Sequence, residues 1–273
     1  MQVYKIKKEM LEPEINLIYN FLSVGRDRYG IDLFTNGSNG NMVDVDTALS
    51  NVSIPLCWAG SHKRLLHQHC IENKRKFYNL DTGYFGNTKR KEIIRISVDN
   101  LQDQGPIIKR PADRFNSLNL EIFNFKRGNR IVIVPPDDKI VLGFRLSSTW
   151  ASDIKTEIEK YTDRPVYIRN RPLSRTERLT TDTFKNCIES DAYAVVGYSS
   201  NALVESVMCG IPTISLGHSA INSFSNYALS DIDNIPDIDN HRRNQWLYHL
   251  AYRQFTHNEL SNGTAWNILS AEA

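Results

Sequence analysis

The stretch AYAVVGYSSNALVESVMCGIPTISLG, residues 192–217, decides the fold. AYAVVGYSS reads as a strand running into a polar turn, because its first residues are apolar or small and its last are hydroxylic. NALVESVMCG, 201–210, is helical in composition and is closed by Gly210, and IPTISLG begins another strand behind Pro212. Strand, turn, helix and strand in succession build a parallel sheet. The alternation continues outward. RIVIVPP, 130–136, predicts a buried strand stopped by Pro135 and Pro136; 149–162 is compatible with a helix; PVYIRNRP, 165–172, predicts a further strand.

Nearer the N-terminus, IPLCWAGSHKRLLHQHCIENKRKFYNLDTGYFG, 54–86, predicts a strand at 54–58, a turn at Gly60, a helix over about 62–73 and a strand running into Leu80. That is a βαβ unit. NGSNGN at 36–41 predicts a surface loop, since Asn and Gly tolerate positive φ. FNFKRGN, 123–129, separates two series of such units, so the expected division is a first domain of residues 1–127 and a second of 128–273. HRRNQWLYHLAYRQFTHNEL, 241–260, places Trp246, Leu247, Leu250 and Phe255 at helical spacing, which predicts a helix packing across the domains.

In open parallel sheets, ligands bind where strands end and helices begin, because free helix N–H groups and the positive dipole end attract phosphate. Ser199, Ser200 and Asn201 occupy such a junction and could hold a diphosphate, while Glu205, a helical turn further on, could accept ribose hydroxyls. The plainer alternative is that Ser200 or Asn201 only caps the helix. YSSNALVESVMCGIPTISLG resembles the donor-binding motif of glycosyltransferases of GT-B architecture, in which two small polar residues, a helical Glu and Gly-x-Pro recur at these offsets. The resemblance implies an α/β protein of two Rossmann-like domains with a cleft between them, an N-terminal acceptor domain and a C-terminal donor domain. It also implies phosphate contacts from Ser199 and Ser200 and a ribose contact from Glu205. DTGYFGN at 81–87, the strand ending in Pro135 and Pro136, and DIDNHRRNQWLYHLAYRQFTHNELSNGTAW at 237–266 resemble an uncharacterised phage protein family. Some relatives of that kind glycosylate hydroxymethylated pyrimidines in DNA. The expected reaction is transfer of a sugar from a nucleotide-sugar, a UDP-sugar in first place, to such a pyrimidine. A capsular-type saccharide acceptor and a non-catalytic nucleotide-sugar or nucleic-acid binder of the same fold are the alternatives.

The departing nucleotide needs positive partners. Arg169 and Arg171, two apart at a strand end, could clamp a diphosphate or could be solvated; His218, beyond the 211–217 strand, is a further donor-contact candidate or a loop histidine. A general base must take the acceptor proton. Asp81, at the carboxyl end of FYNL, is the first candidate and His62, after Gly60 and Ser61, the second; Asp81 could equally bond its own turn. In KRKFYNLDTGYFGNTKRKEIIRI, 74–96, Lys89, Arg90 and Lys91 could follow a phosphate backbone and Tyr84 or Phe85 could stack on an extruded base, unless the aromatics are core.

Other chemistries lack their residues. No GxxxxGK[ST], GxGxxG or GxSxG occurs, which counts against P-loop, dinucleotide and common hydrolase sites. His62, His67, His69 and Cys70 have poor zinc spacing, and Asp-x-Asp recurs three times, at 44–46, 231–233 and 237–239, so no one copy marks a metal site. We therefore expect no metal and no redox cofactor. Cys57, Cys70, Cys187 and Cys209 are scattered as reduced thiols are, and 41% hydrophobic with 23% charged residues at a net charge of +2 is ordinary globular usage. No apolar run approaches a bilayer span and no signal-like segment opens the chain, so a cytoplasmic protein without membrane association is expected.

Overall fold

Apolar runs become strands in both halves of the chain. The computed structural model describes residues 4–6, 30–43, 50, 53, 55–59, 64–85, 93–123, 127–170 and 191–272. The chain is α/β and divides into two units, each with its own largely parallel sheet. The first contains Met1–Asp103, Leu142–Phe144 and Leu250–Ala273, and the second Gln104–Val141 and Arg145–His249.

In the first unit the strands β1 (Tyr4–Ile6), β2 (Asn41–Val43), β3 (Leu56–Ala59), β4 (Phe77–Thr82), β5 (Ile93–Val98) and β10 (Gln254–Thr256) lie in the order β10-β5-β4-β3-β1-β2. β1 pairs in parallel with β2 and β3, and β3 with β4; β5 and β10 close the other side antiparallel. β3 and β4 flank the helix Arg64–Glu72, which is the βαβ unit expected there. β3 is buried along its whole length, as a strand covered on both faces must be. Alternation along β4 assigns the faces. Phe77 stacks on Trp58 at 4.3 Å and meets the edge of His67, whereas Tyr78 joins Phe34 and Trp266 in an edge-on aromatic group on the other side. Leu80, Ile94, Ile96, Phe255, Leu260 and Leu269 extend that second core.

Strand β10 accounts for one departure from expectation. Phe255 belongs to a strand, opposite Ile94 of β5, and the helix containing Trp246, Leu247 and Leu250 ends at Ala251. The chain from Leu250 onward groups with the first unit, with which β10 pairs. Three residues of edge strand carry no periodicity that would distinguish them from the last turn of a helix.

In the second unit β6 (Arg130–Val134), β7 (Val166–Ile168), β8 (Ala192–Gly197) and β9 (Thr213–Ser215) form an all-parallel sheet in the order β7-β6-β8-β9. Ile131, Ile133, Ala194, Val196 and Ile214 pack with Ile158, Ile232 and Ile235 on one face. Val132 and Val195 point the other way by alternation and are also buried, as are Leu203, Val204 and Val207 of the helix Asn201–Met208 that follows β8. The chain passes from β6 outward to β7, then crosses to β8 on the opposite side of β6. The carboxyl ends of β6 and β8 are therefore a topological switch point, the place in a doubly wound sheet where successive crossovers part and leave a crevice.

Candidate functional site

Parallel strands bring their carboxyl ends to one edge of the second unit's sheet. Pro135 follows β6, Arg169 follows β7, Tyr198-Ser199-Ser200 follows β8, and His218 comes three residues after β9. Four of the positions expected to touch a donor, Arg169, Ser199, Ser200 and His218, are thus on one edge, and Asn201 and Glu205 project from the helix that begins there.

Ser200 is the helix N-cap. Its backbone is extended, at φ −80° and ψ 145°, and its Oγ accepts the Ala202 N–H at 3.2 Å. Capping occupies a lone pair and leaves the hydroxyl hydrogen able to donate, so the capping role and a ligand contact are compatible. Asn201 is the first helical residue, and Glu205, four further on, shares its face. Helical side chains lean toward the N-terminus, which directs the Glu205 carboxylate back over the turn containing Asn201.

Glu205 is exposed; its backbone carbonyl accepts the Cys209 N–H at 2.9 Å, and its carboxylate forms no hydrogen bond or ion pair among the described residues. Yet surrounding protein withdraws enough water to push its carboxyl up to about 7. A carboxylate without a partner among the described residues is, when ionised, an acceptor for hydroxyl donors.

Both ends of the helix are fixed by local chemistry. At its end Gly210 adopts φ +80°, its N–H bonds the Val207 carbonyl, and the Ile211 N–H bonds the Ser206 carbonyl, which together close a Schellman motif. Gly210→Ala is expected to destabilise the protein by about 1 kcal/mol, because a Cβ disfavours that φ; equilibrium urea unfolding reads the shift, and an unchanged midpoint would remove the argument for the cap.

The β8 and β9 ends are clasped together. Ser215 Oγ donates to the Tyr198 carbonyl at 3.1 Å, and a Cβ on Gly217 would come within 2.5 Å of the Tyr198 ring. His218 follows directly, half-buried, with its imidazole held below its usual pKa by desolvation. Its Nδ1 lies 3.5 Å from Gln104 Nε2, a partner 114 positions away. Arg169 is 8% exposed, its backbone N–H bonds the Ile133 carbonyl, and its guanidinium reaches the Asn170 carbonyl at 3.5 Å.

The first unit treats its expected site residues differently. Asp81 lies within β4, directly opposite Arg95 of β5, and pairs with that guanidinium at 2.9 Å; its other oxygen accepts the Thr82 N–H at 2.7 Å. Tyr84 is corrected from a base-stacking ring to a core residue. It is 1% exposed, its hydroxyl accepts the Asp103 N–H, its own N–H bonds Gln254 Oε1, and Arg95 lies over its ring at 5.1 Å. Burial also pushes its hydroxyl pKa up. Phe85 is likewise buried. His62, Lys89, Arg90, Lys91 and Arg171 lie outside the described residues.

The Asp-x-Asp copies that are described serve the fold. Asp231 accepts the Ala228 N–H, Asp233 joins Thr162 to Arg164, Asp237 pairs with Arg127, and Asp239 accepts the N–H groups of His241 and Arg242. Asp44 and Asp46 lie outside the described residues. Among the described residues no three His, Cys, Asp or Glu side chains are grouped to hold a metal ion, and no helix is long and apolar enough to cross a membrane. Cys57 and Cys70 are buried, and the Cys70 thiol is pushed up to about 11 by desolvation.

No family model and no curated protein matches the chain. Among solved structures it is similar to KpsC from Thermosulfurimonas dismutans, a beta Kdo 2,7 transferase, at 13% identity and TM-score 0.49, covering 100% of both chains. It is also similar to the KpsC beta Kdo 2,4 transferase of that organism at 13% identity and TM-score 0.46, covering 94% of this chain and 92% of the other. Likenesses this distant carry no weight for the chemistry of the present chain.

Proposed function

We propose that the chain is a GT-B-type glycosyltransferase that binds a nucleotide-sugar at the carboxyl edge of the second unit's sheet. The observation that supports it most is Glu205, an accessible and desolvated carboxylate without a partner among the described residues, one turn inside a helix capped by Ser200 at a topological switch point. A carboxylate in that place suits the two ribose hydroxyls of a nucleotide, and the helix start suits its phosphates. A UDP-sugar is the donor we test first. Sugar transfer would proceed by displacement at the anomeric carbon, with Arg169, His218 and the hydroxyls of Ser199 and Ser200 against the growing negative charge.

The test is a panel of UDP-, CMP- and GDP-sugars measured by calorimetry. Glu205→Ala is expected to fold and to bind at least about tenfold more weakly, which is about 1.4 kcal/mol. Ribose hydroxyls donate to the ionised carboxylate. Because desolvation pushes that carboxyl up to about 7, affinity is expected to rise with pH through about 7 and to level off above it. Glu205→Gln should flatten that profile. Unchanged affinity in Glu205→Ala would end the donor site as drawn.

For the acceptor, burial of Tyr84 and Phe85 removes the rings that were to hold an extruded base, so a saccharide hydroxyl is the acceptor we propose ahead of hydroxymethylated DNA. Incubation with each acceptor class and detection of the added sugar by mass separates the two. A second reading, a nucleotide-sugar binder without transferase activity, has one observation in its favour: both Asp81 oxygens are engaged by Arg95 and Thr82. Tight donor binding with no transfer to any acceptor would support it.

A further inference from the structure

A backbone carbonyl sets the direction of a side-chain relay that ends on His218. Asn222 Nδ2 lies 2.8 Å from the Gly217 carbonyl oxygen, which can only accept, so that atom of Asn222 is the NH₂ group. The same Nδ2 lies 3.0 Å from the side chain of Gln104. What it meets there must accept a hydrogen and is therefore Gln104 Oε1, which turns the Gln104 NH₂ toward His218 Nδ1 at 3.5 Å. A nitrogen facing a donor must be the unprotonated one, and the ring proton goes to Nε2.

We infer that Gln104 and Asn222 are positioning residues that fix His218 as the neutral Nε2–H tautomer, making it a hydrogen-bond donor to an oxygen of the bound nucleotide and disqualifying it as a base. The ligand half of this statement rests on the proposed donor site; the tautomer half rests on the relay alone. Protonating the ring would place an N–H against the Gln104 NH₂, so the relay resists the imidazolium. Desolvation of His218 acts in the same direction. The arrangement suits a strand-end histidine beside a phosphate or nucleobase carbonyl, since a neutral ring donates there with a fixed direction. The spacing explains why local sequence does not show it: Gln104 and Asn222 lie 118 positions apart.

Nitrogen NMR of the full chain with labelled histidine tests both halves. His218 is identified by the signal missing from His218→Asn. At pH about 7 the expected pattern is an unprotonated Nδ1 and a protonated Nε2. Gln104→Glu, which sets a hydrogen-bond acceptor against Nδ1, should put a proton on that nitrogen. A protonated Nδ1 in the native chain, or a Gln104→Glu spectrum identical to it, overturns the relay. UDP, CMP and GDP are then titrated in. A shift of the His218 Nε2–H signal on saturation by any of them supports the ligand contact, and saturation without a shift overturns it. If none of the three nucleotides binds, the donor site itself is rejected, and the ligand contact with it, while the tautomer pattern still decides the relay.

Discussion

Replacing Arg253 with Met should destabilise the protein by about 3–5 kcal/mol, the usual cost of removing one partner from a buried ion pair. Arg253 Nε lies 2.6 Å from an Asp103 carboxylate oxygen and NH2 lies 2.6 Å from one of Glu272, with all three side chains at most 13% exposed. Removing the guanidinium leaves two buried carboxylates without their shared cation, and each must then protonate or recover water. A typical domain is stable by only about 5–15 kcal/mol, so the loss is large. Equilibrium urea unfolding measures it. Adding Asp103→Asn and Glu272→Gln to Arg253→Met should recover most of the loss, because neutral amides leave no uncompensated charge. A native-like midpoint for Arg253→Met alone would show that the triad does not hold the C-terminal segment. Asp103 also ends the first of the unit's three chain segments, and its backbone N–H bonds the hydroxyl of the buried Tyr84. The same few residues thus tie down β4, the chain leaving the sheet and the C-terminus.

Elements set by local chemistry were legible in the sequence. β6 stops at Pro135, the helix after β8 starts on the N-cap Ser200 and ends through Gly210, and β3, the helix Arg64–Glu72 and β4 follow the apolar runs that predict them. The helix expected over 149–162 is shorter, Trp150–Ile158, because the N–H groups of Lys160 and Tyr161 bond carbonyls three residues back and tighten its last turn. What distant residues decide could not be read locally. Tyr84 sits in a basic run, yet Gln254, 170 positions on, engages its backbone N–H and helps to bury it. Asp81 stands at a strand end as expected, but antiparallel pairing with β5, which 54–86 alone does not reveal, places Arg95 opposite it. The positions expected to touch a donor could be placed on the fold, because a parallel sheet delivers every strand's carboxyl end to one edge. Once strand direction is known, Arg169, Ser199, Ser200 and His218 follow from topology without any pairwise contact.

Asp81→Asn is the variant that separates the transferase reading from the binding reading, and we expect it to lower turnover by about 100-fold with donor affinity nearly unchanged, as loss of a general base does. The ion pair with Arg95 gives Asp81 a structural job that must be controlled for. Asn retains one acceptor oxygen for Arg95 and loses the charge, so a stability loss of about 1–3 kcal/mol is expected alongside. Arg95→Met supplies the control. It breaks the same pair and also removes the hydrogen bond from Arg95 NH1 to the Thr82 carbonyl, so it should destabilise at least as much, yet it leaves the carboxylate in place. If Asp81 is the base, Arg95→Met keeps most of the turnover that Asp81→Asn loses. Equal losses in the two variants, tracking their unfolding midpoints, would assign Asp81 to the fold alone and leave the base to be sought elsewhere, His62 first. Normal turnover in Asp81→Asn would reject its catalytic role outright.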